Sequence, residues 1–121
     1  MKHLQHFVRR AALGICAVSA LAASTGAWAQ DWPTKPIKVI ITFTAGSSTD
    51  IVGRVVTQRL SEVWGQPVVV DNKPGAGGSI GSALVAKSPA DGYTILINSS
   101  AHAVNPAMYA NLPYDTKKDF I

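Results

Sequence analysis

The sequence predicts an α/β protein in which βαβ units build a parallel sheet, and three observations support this prediction. Short runs of β-branched apolar residues alternate along the chain with longer segments whose apolar residues recur at helical spacing. Loops that contain glycine and proline separate the two kinds of segment. The first run, residues 37–42, holds a single charged residue, which is typical of a strand that is buried on both faces.

The first half of this region predicts two strands and a long helix. Residues 37–42 form the first strand, and residues 43–50 are small and polar. Apolar residues then recur at helical spacing up to Gly65, so a helix is expected to begin at Ser48 or Thr49. Residues 67–71 are mainly valine and predict the second strand.

The second half predicts shorter elements. Residues 72–79 are rich in glycine and turn formers and predict a loop, after which residues 80–87 predict a second, shorter helix. Residues 93–97 predict the third strand. A short helix is expected around residues 106–109.

Residues 1–29 differ from the rest and predict a secretory signal peptide. A basic segment precedes an apolar run over residues 11–23, and Ala27-Trp28-Ala29 follows as an A-x-A cleavage site. An N-terminal membrane anchor needs a longer apolar run than these 13 residues. A pair of adjacent arginines also occurs in twin-arginine signals, but the residues around it favour the general export route. We therefore expect an exported protein that is cleaved near Ala29.

Charge and composition exclude several classes of function for the exported part. Residues 30–121 hold eight basic and seven acidic residues, so they lack the basic stripe that nucleic-acid binding needs. The only cysteine, Cys16, lies in the signal peptide, and His102 is the only histidine that follows it. These residues do not supply a thiolate, a transition-metal cluster or a catalytic triad. We expect no enzyme activity, no metal and no cofactor.

Three polar loops are predicted to meet at one edge of the sheet. In an open parallel sheet, the loops that leave the carboxyl ends of the strands gather where ligands bind. The first loop, residues 43–50, brings hydroxyl groups and the free amides of a helix N-terminus, which favour a carboxylate or a phosphate. The second, residues 72–79, has glycines that allow a ligand close to the backbone. The third adds Asn98, Ser99 and His102.

The same residues also have purely structural interpretations. Residues 48–50 are standard helix N-cap types, and Asp50 is spaced to form an ordinary helical ion pair with Arg54. The glycines of residues 75–78 suit a simple turn. His102 suits a hydrogen-bonding loop residue as well as it suits a ligand contact.

The glycine loop does not match a nucleotide-binding fingerprint. The run that begins at Gly75 follows a strand and opens a helix, but Ile80 stands where G-x-G-x-x-G requires its last glycine. The sequence also contains no Gly-Lys-Ser or Gly-Lys-Thr, which excludes a P-loop. A dinucleotide site is therefore disfavoured.

Five blocks of the sequence carry a family resemblance. They are WPTKPI (residues 32–37), FTAGSSTDI (43–51), VDNKPGAGG (70–78), PADGYT (89–94) and NLPYD (111–115). In this order they resemble the Bug receptors, the extracytoplasmic solute receptors of tripartite tricarboxylate transporters, which are also called the TctC family. The resemblance covers essentially the whole chain after the signal peptide.

The resemblance implies a periplasmic binding protein of two α/β lobes that closes over a small organic carboxylate and serves a membrane permease. The ligand is then a dicarboxylate, a tricarboxylate, an acidic amino acid or an aromatic acid. In the family, the loop after the first strand carries much of the carboxylate recognition. Together with the other two loops, the candidate ligand-binding residues are Phe43, Ala45, Gly46, Ser47, Ser48, Thr49, Asp50, Gly75, Gly77, Ser99 and His102.

The sequence departs from the family pattern in two ways. Thr42 and Ser47 stand where many members have proline and glycine. The sequence ends at residue 121, where family members continue through a second lobe, so residues 30–121 are expected to be the N-terminal part of a solute-binding domain, a partial first lobe. The alternatives are a fragment that binds nothing, a small exported α/β enzyme, and a structural or interaction module.

Overall fold

Strand β1, Ile37–Ile41, is the centre of the molecule, because its apolar β-branched residues are suited to burial on both faces. The computed structural model describes residues 31–120. The predicted signal peptide and its cleavage site lie outside these residues. The elements that follow β1 are helix α1 (Ser48–Trp64), β2 (Val68–Asn72), a 3₁₀ turn (Ala76–Gly78), α2 (Ser79–Ala86), β3 (Thr94–Ile97) and α3 (Ala101–Met108).

The three strands form one parallel sheet in the order β2-β1-β3. Val39 of β1 lies opposite Val70 of β2 and Ile95 of β3. Helix α1 connects β1 to β2, and α2 connects β2 to β3, so both connections are βαβ crossovers. The predicted α/β class with a parallel sheet is confirmed.

The two crossover helices approach the sheet through glycines. On one face of β1, Ile37, Val39 and Ile41 are fully buried, and a Cβ at Gly53 of α1 would lie 2.7 Å from Ile41 Cδ1. On the other face, a Cβ at Gly81 of α2 would lie 2.9 Å from the carbonyl oxygen of Lys73. The sheet is therefore covered on both faces, as its apolar strands require.

An aromatic cluster closes the amino ends of the strands. Trp32 packs edge-to-face on Trp64, with ring centroids 5.1 Å apart, and also contacts Tyr93 just before β3. The backbone N–H of Thr34 donates to the Tyr93 hydroxyl at 3.0 Å. The amino edge of the sheet is therefore aromatic, whereas polar residues follow the carboxyl ends of the strands.

The predicted strand boundaries agree with the structure to within one residue, whereas the prediction for α3 was wrong. A helix was expected over residues 106–109, but α3 spans Ala101–Met108 and contains Pro106 within it. The helix starts earlier because the first-turn amides of His102 and Ala103 find acceptors in Ser99 O and Ser100 O. His102 is thus a helical residue and not a loop residue. None of the helices between residues 31 and 120 is long and apolar enough to cross a membrane.

Gly81→Ala is expected to destabilise the protein by about 1–3 kcal/mol, because the new methyl group meets a backbone carbonyl that cannot rotate away. Gly53→Ala is the matched control. It brings the same gain in helix propensity, about 1 kcal/mol, and meets only the tips of isoleucine side chains. Urea unfolding of both variants measures the difference. Equal stabilities would contradict the close approach of α2 to the sheet.

Candidate functional site

The polar loops that follow the three strands lie side by side. Thr42, directly after β1, donates its hydroxyl to Asn98 Oδ1, directly after β3, at 2.8 Å. Asn72, the last residue of β2, donates its side-chain amide to the carbonyl oxygen of Phe43 at 3.0 Å. A polar residue at the carboxyl end of each strand therefore links the three loops, which confirms that they gather at one edge.

Ser47 caps helix α1 and shapes the first loop. Its backbone is extended, with φ −69° and ψ 161°, and its hydroxyl oxygen accepts the N–H of Asp50 at 3.2 Å. Gly46 before it has φ +83°, a conformation that glycine adopts without strain. The Ser47 N–H donates to the carbonyl oxygen of Thr44 at 3.1 Å. The serine that departs from the family pattern thus has a capping role.

Asp50 is buried in the first turn of α1, with 2% of its surface exposed. Its carboxylate accepts the backbone N–H of Gly46 at 2.8 Å, the side-chain amide of Asn72 at 2.8 Å, and Arg54 Nε at 3.0 Å and 3.1 Å. These donors, Arg54 first, lower the pKa of Asp50 from 3.8 to about 2. The Asp50–Arg54 ion pair that the sequence suggested is confirmed, and the carboxylate stays ionised at neutral pH.

The first loop contains backbone amides without an acceptor. Within residues 31–120, the N–H groups of Ala45, Ser48 and Thr49 have no hydrogen-bond acceptor. The residues Ala45 and Ser48 are exposed, and Thr49 is partly exposed. Unpaired amides at a helix N-terminus, together with the helix dipole, attract an anion.

The second loop fits between the other two because of its glycines. A Cβ at Gly78 would lie 2.9 Å from both Thr42 Oγ1 and Asn98 Oδ1. Gly77 is held from the far side, since its carbonyl oxygen accepts the side-chain amide of Asn105 at 3.0 Å. Gly75 and Gly77 have φ of +127° and +61° and are exposed. The glycine segment is thus a turn that contacts the ends of β1 and β3 at Gly78 and contacts α3 at Gly77.

The third loop is organised by Asn98. Its Oδ1 accepts the backbone N–H of Ser99 at 2.7 Å as well as the Thr42 hydroxyl, and its Nδ2 donates to Ser82 Oγ at 3.0 Å. The Ser99 hydroxyl in turn accepts the N–H of Ala101 at the start of α3. Asn98 therefore joins the third loop to β1 and α2.

His102 packs among aromatic residues of the C-terminal segment. Its ring stacks on Tyr114, with centroids 6.0 Å apart, and meets Phe120 edge-on at 4.8 Å. Its Nδ1 is buried without a hydrogen-bond partner among the described residues. Ser99 and His102 line a cavity of about 590 Å³ beside β3, which no residue of the first loop lines. The predicted site residues are thus divided between the first two loops and this cavity.

Sequence reasoning missed the residues that hold the loops together. Asn72, Ser82 and Asn105 were not among the predicted site residues, although their side chains fix the carboxyl edge. For Asn72 a signal was present, because a polar residue ends a β-branched run there. The same signal marks Thr42 and Asn98.

Comparison with known proteins assigns the family. The family model of the tripartite tricarboxylate transporter family receptor, TctC, matches residues 52–121. The chain is a member of the TctC family. This membership confirms the resemblance that the sequence blocks indicated, and the matched family is described as one of transporter receptors.

Several curated proteins and solved structures are similar to this chain. A UPF0065 protein from Pseudomonas sp. (strain P51) is 42% identical over 98% of this chain and 35% of that protein. The periplasmic binding protein BugD is 37% identical, with a TM-score of 0.70 over 74% of this chain and 30% of BugD. An R. palustris protein solved with adipate is 42% identical, with a TM-score of 0.68 over 71% of this chain and 29% of its own. The chain therefore spans about a third of the length of the relatives it matches.

Asp50→Asn is expected to lower the melting temperature at pH 7, because the ionised carboxylate holds three donors. A carboxyl whose pKa is lowered by folding stabilises the native state above its unfolded pKa, here 3.8, and loses that contribution as the pH falls towards 2. The difference in melting temperature between wild type and variant should therefore shrink between pH 5 and pH 2.

Glu62→Gln is the control for this titration. Glu62 pairs with Arg59 at 2.7 Å on the exposed surface of the same helix, where an ion pair contributes little. The variant Glu62→Gln should therefore change the melting temperature only slightly at any pH. A difference for Asp50→Asn that stays constant down to pH 2 would show that its charge is not what stabilises the loop.

Proposed function

We propose that the protein is a periplasmic solute receptor that binds a small organic carboxylate and passes it to the membrane permease of a tripartite tricarboxylate-type transporter. The observation that carries this proposal is the set of free amides of Ala45, Ser48 and Thr49 at the exposed start of α1. They are hydrogen-bond donors fixed at the positive end of a helix, which suits a carboxylate.

Family membership supports an organic acid as the proposed ligand. The matched model is that of a transporter receptor, and one similar protein was solved with adipate, a dicarboxylate. A dicarboxylate, a tricarboxylate, an acidic amino acid or an aromatic acid each provides one carboxylate for the first loop. Because fixed amides recognise the carboxylate itself, the remainder of the ligand must be selected by other groups.

The remaining predicted residues are proposed to shape the walls of the site. Phe43 and Gly46 belong to the same loop as the free amides, and Gly75 and Gly77 are exposed in the second loop. Ser99 and His102 line the cavity next to β3, and we propose that they contact the remainder of the ligand. In this proposal residues 30–121 supply part of a first lobe, and enclosure of the ligand comes from a second lobe.

Binding is tested by isothermal titration of the full-length protein with adipate, malate, citrate, glutamate and benzoate, with adipamide as an uncharged control. We expect at least one acid to bind and adipamide not to bind, because the amides recognise negative charge. Binding of adipamide as tightly as adipate, or binding of none of the acids, would refute the proposal.

Ser48→Pro tests the amide contact directly. Ser48 is the first helical residue, where proline is tolerated, and the extended backbone of Ser47 is the conformation that a following proline requires. The variant removes one N–H and should weaken acid binding about 10- to 100-fold, the usual effect of one hydrogen bond to a charged group. Ser48→Ala keeps the N–H and removes only the hydroxyl, so its affinity should stay near that of the wild type. Equal affinities of the two variants would show that the ligand does not bind this amide.

A further inference from the structure

The Asp50 carboxylate lies where an anionic ligand would be repelled. It is buried in the first turn of α1 and bonds the N–H of Gly46, next to the free amide of Ala45. A negative charge in this position is itself attracted to the helix N-terminus and therefore competes with a second anion. The site needs a feature that cancels this charge.

Arg54, one turn further along α1, is placed to cancel it. Its Nε lies 3.0 Å and 3.1 Å from the two carboxylate oxygens of Asp50, and its terminal nitrogen donates to Asn72 Oδ1 at 2.9 Å. The carboxylate is almost fully buried, whereas about half of the arginine side chain is exposed. The pair is therefore neutral as a whole and lies at the edge of the loop.

Asn72 connects this pair to the loop backbone. Its side-chain nitrogen donates both to Asp50 Oδ1 at 2.8 Å and to the carbonyl oxygen of Phe43 at 3.0 Å. Together with the bond from Gly46 to Asp50, this holds the loop at two backbone positions, one at each side of Ala45. The polar groups of these three side chains thus form hydrogen bonds with one another and with the loop backbone.

We infer that Asp50, Arg54 and Asn72 are positioning residues that do not contact the ligand: Asp50 and Asn72 fix the loop backbone, and Arg54 neutralises Asp50 so that a carboxylate binds beside it. This inference rests on the proposed function. It assigns Asp50, which the sequence suggested as a ligand contact, to the support of the site. It also gives Arg54 an electrostatic effect on affinity without a ligand contact.

The test uses charge-removing variants of the full-length protein. Each variant is titrated with the acid of the panel above that binds the wild type most tightly. Arg54→Gln leaves the Asp50 charge unbalanced and should weaken binding about tenfold or more at low ionic strength. The loss should become smaller in 0.5 M salt, because salt screens the repulsion. The double variant D50N/R54Q is again neutral, and an asparagine at position 50 keeps one oxygen that accepts the Gly46 N–H, so this variant should bind several-fold more tightly than Arg54→Gln alone.

Arg59→Gln is the matched control, since it removes the same charge from an exposed position of the same helix. It should change the affinity by less than about twofold. Thermal unfolding of every variant separates loss of folding from loss of binding. If Arg54→Gln alone does not fold, D50N/R54Q still tests the inference through its salt dependence, because a loss of affinity that becomes smaller in 0.5 M salt would indicate repulsion in a neutral variant and would contradict it.

The outcomes distinguish the inference from the function on which it rests. A wild-type protein that binds none of the acids refutes the proposed function. A wild-type protein that binds, with Arg54→Gln equal to Arg59→Gln, refutes the inference alone. A double variant as weak as Arg54→Gln also overturns it, because that result means that Arg54 contacts the ligand or is needed only for the fold.

Discussion

The burial of β1 between two helices is the constraint on which the rest of the structure depends. Its residues Ile37, Val39, Ile40 and Ile41 are fully buried, so both faces of the strand need a covering layer. The covering helices come close because they carry glycines where they meet the strand. Because the strands are parallel, each crossover helix returns the chain to the amino edge of the sheet. The three loops that leave the carboxyl ends of the strands therefore lie together at the opposite edge.

That shared edge explains why the polar groups at the strand ends bond to one another. A buried carbonyl or hydroxyl at the end of a strand needs a partner, and the neighbouring loop is the nearest source. Thr42 pairs with Asn98, and Asn72 pairs with Phe43, so each loop is held by a strand other than its own. These bonds hold the first loop against its neighbours and fix the directions of its free amides. For the ligand site proposed above, fixed donors lower the cost of ordering on binding.

The sequence predicted the fold better than the details of the site, and the reason is the range of the interactions involved. Buried parallel strands are recognised locally, as β-branched runs between turn residues, so their boundaries were close to correct. The start of α3 was predicted too late in the sequence. Proline prefers the first turn of a helix, whereas Pro106 lies near the end of this one. The convergence of the loops followed from topology alone. The bonds from Thr42 to Asn98 and from Asn72 to Phe43 join residues 56 and 29 positions apart, and they depend on strand order and register.

Asp50 shows how one residue satisfies both a structural and a functional interpretation. An aspartate at this position is an ordinary helix-capping choice, and an arginine four residues later is an ordinary partner. The structure adds Asn72 and the Gly46 amide, which turn a surface ion pair into a buried network that reaches the loop. In the proposed function, a carboxylate on the ligand and the Asp50 carboxylate are both attracted to the N-terminus of the same helix. Both fit only if one of them is neutralised, and Arg54 lies against the protein carboxylate. In the proposed site, the amides beside it are thereby left for the ligand. Asp50, which resembles a ligand contact in the sequence, then has a supporting role, and Arg54 neutralises its charge.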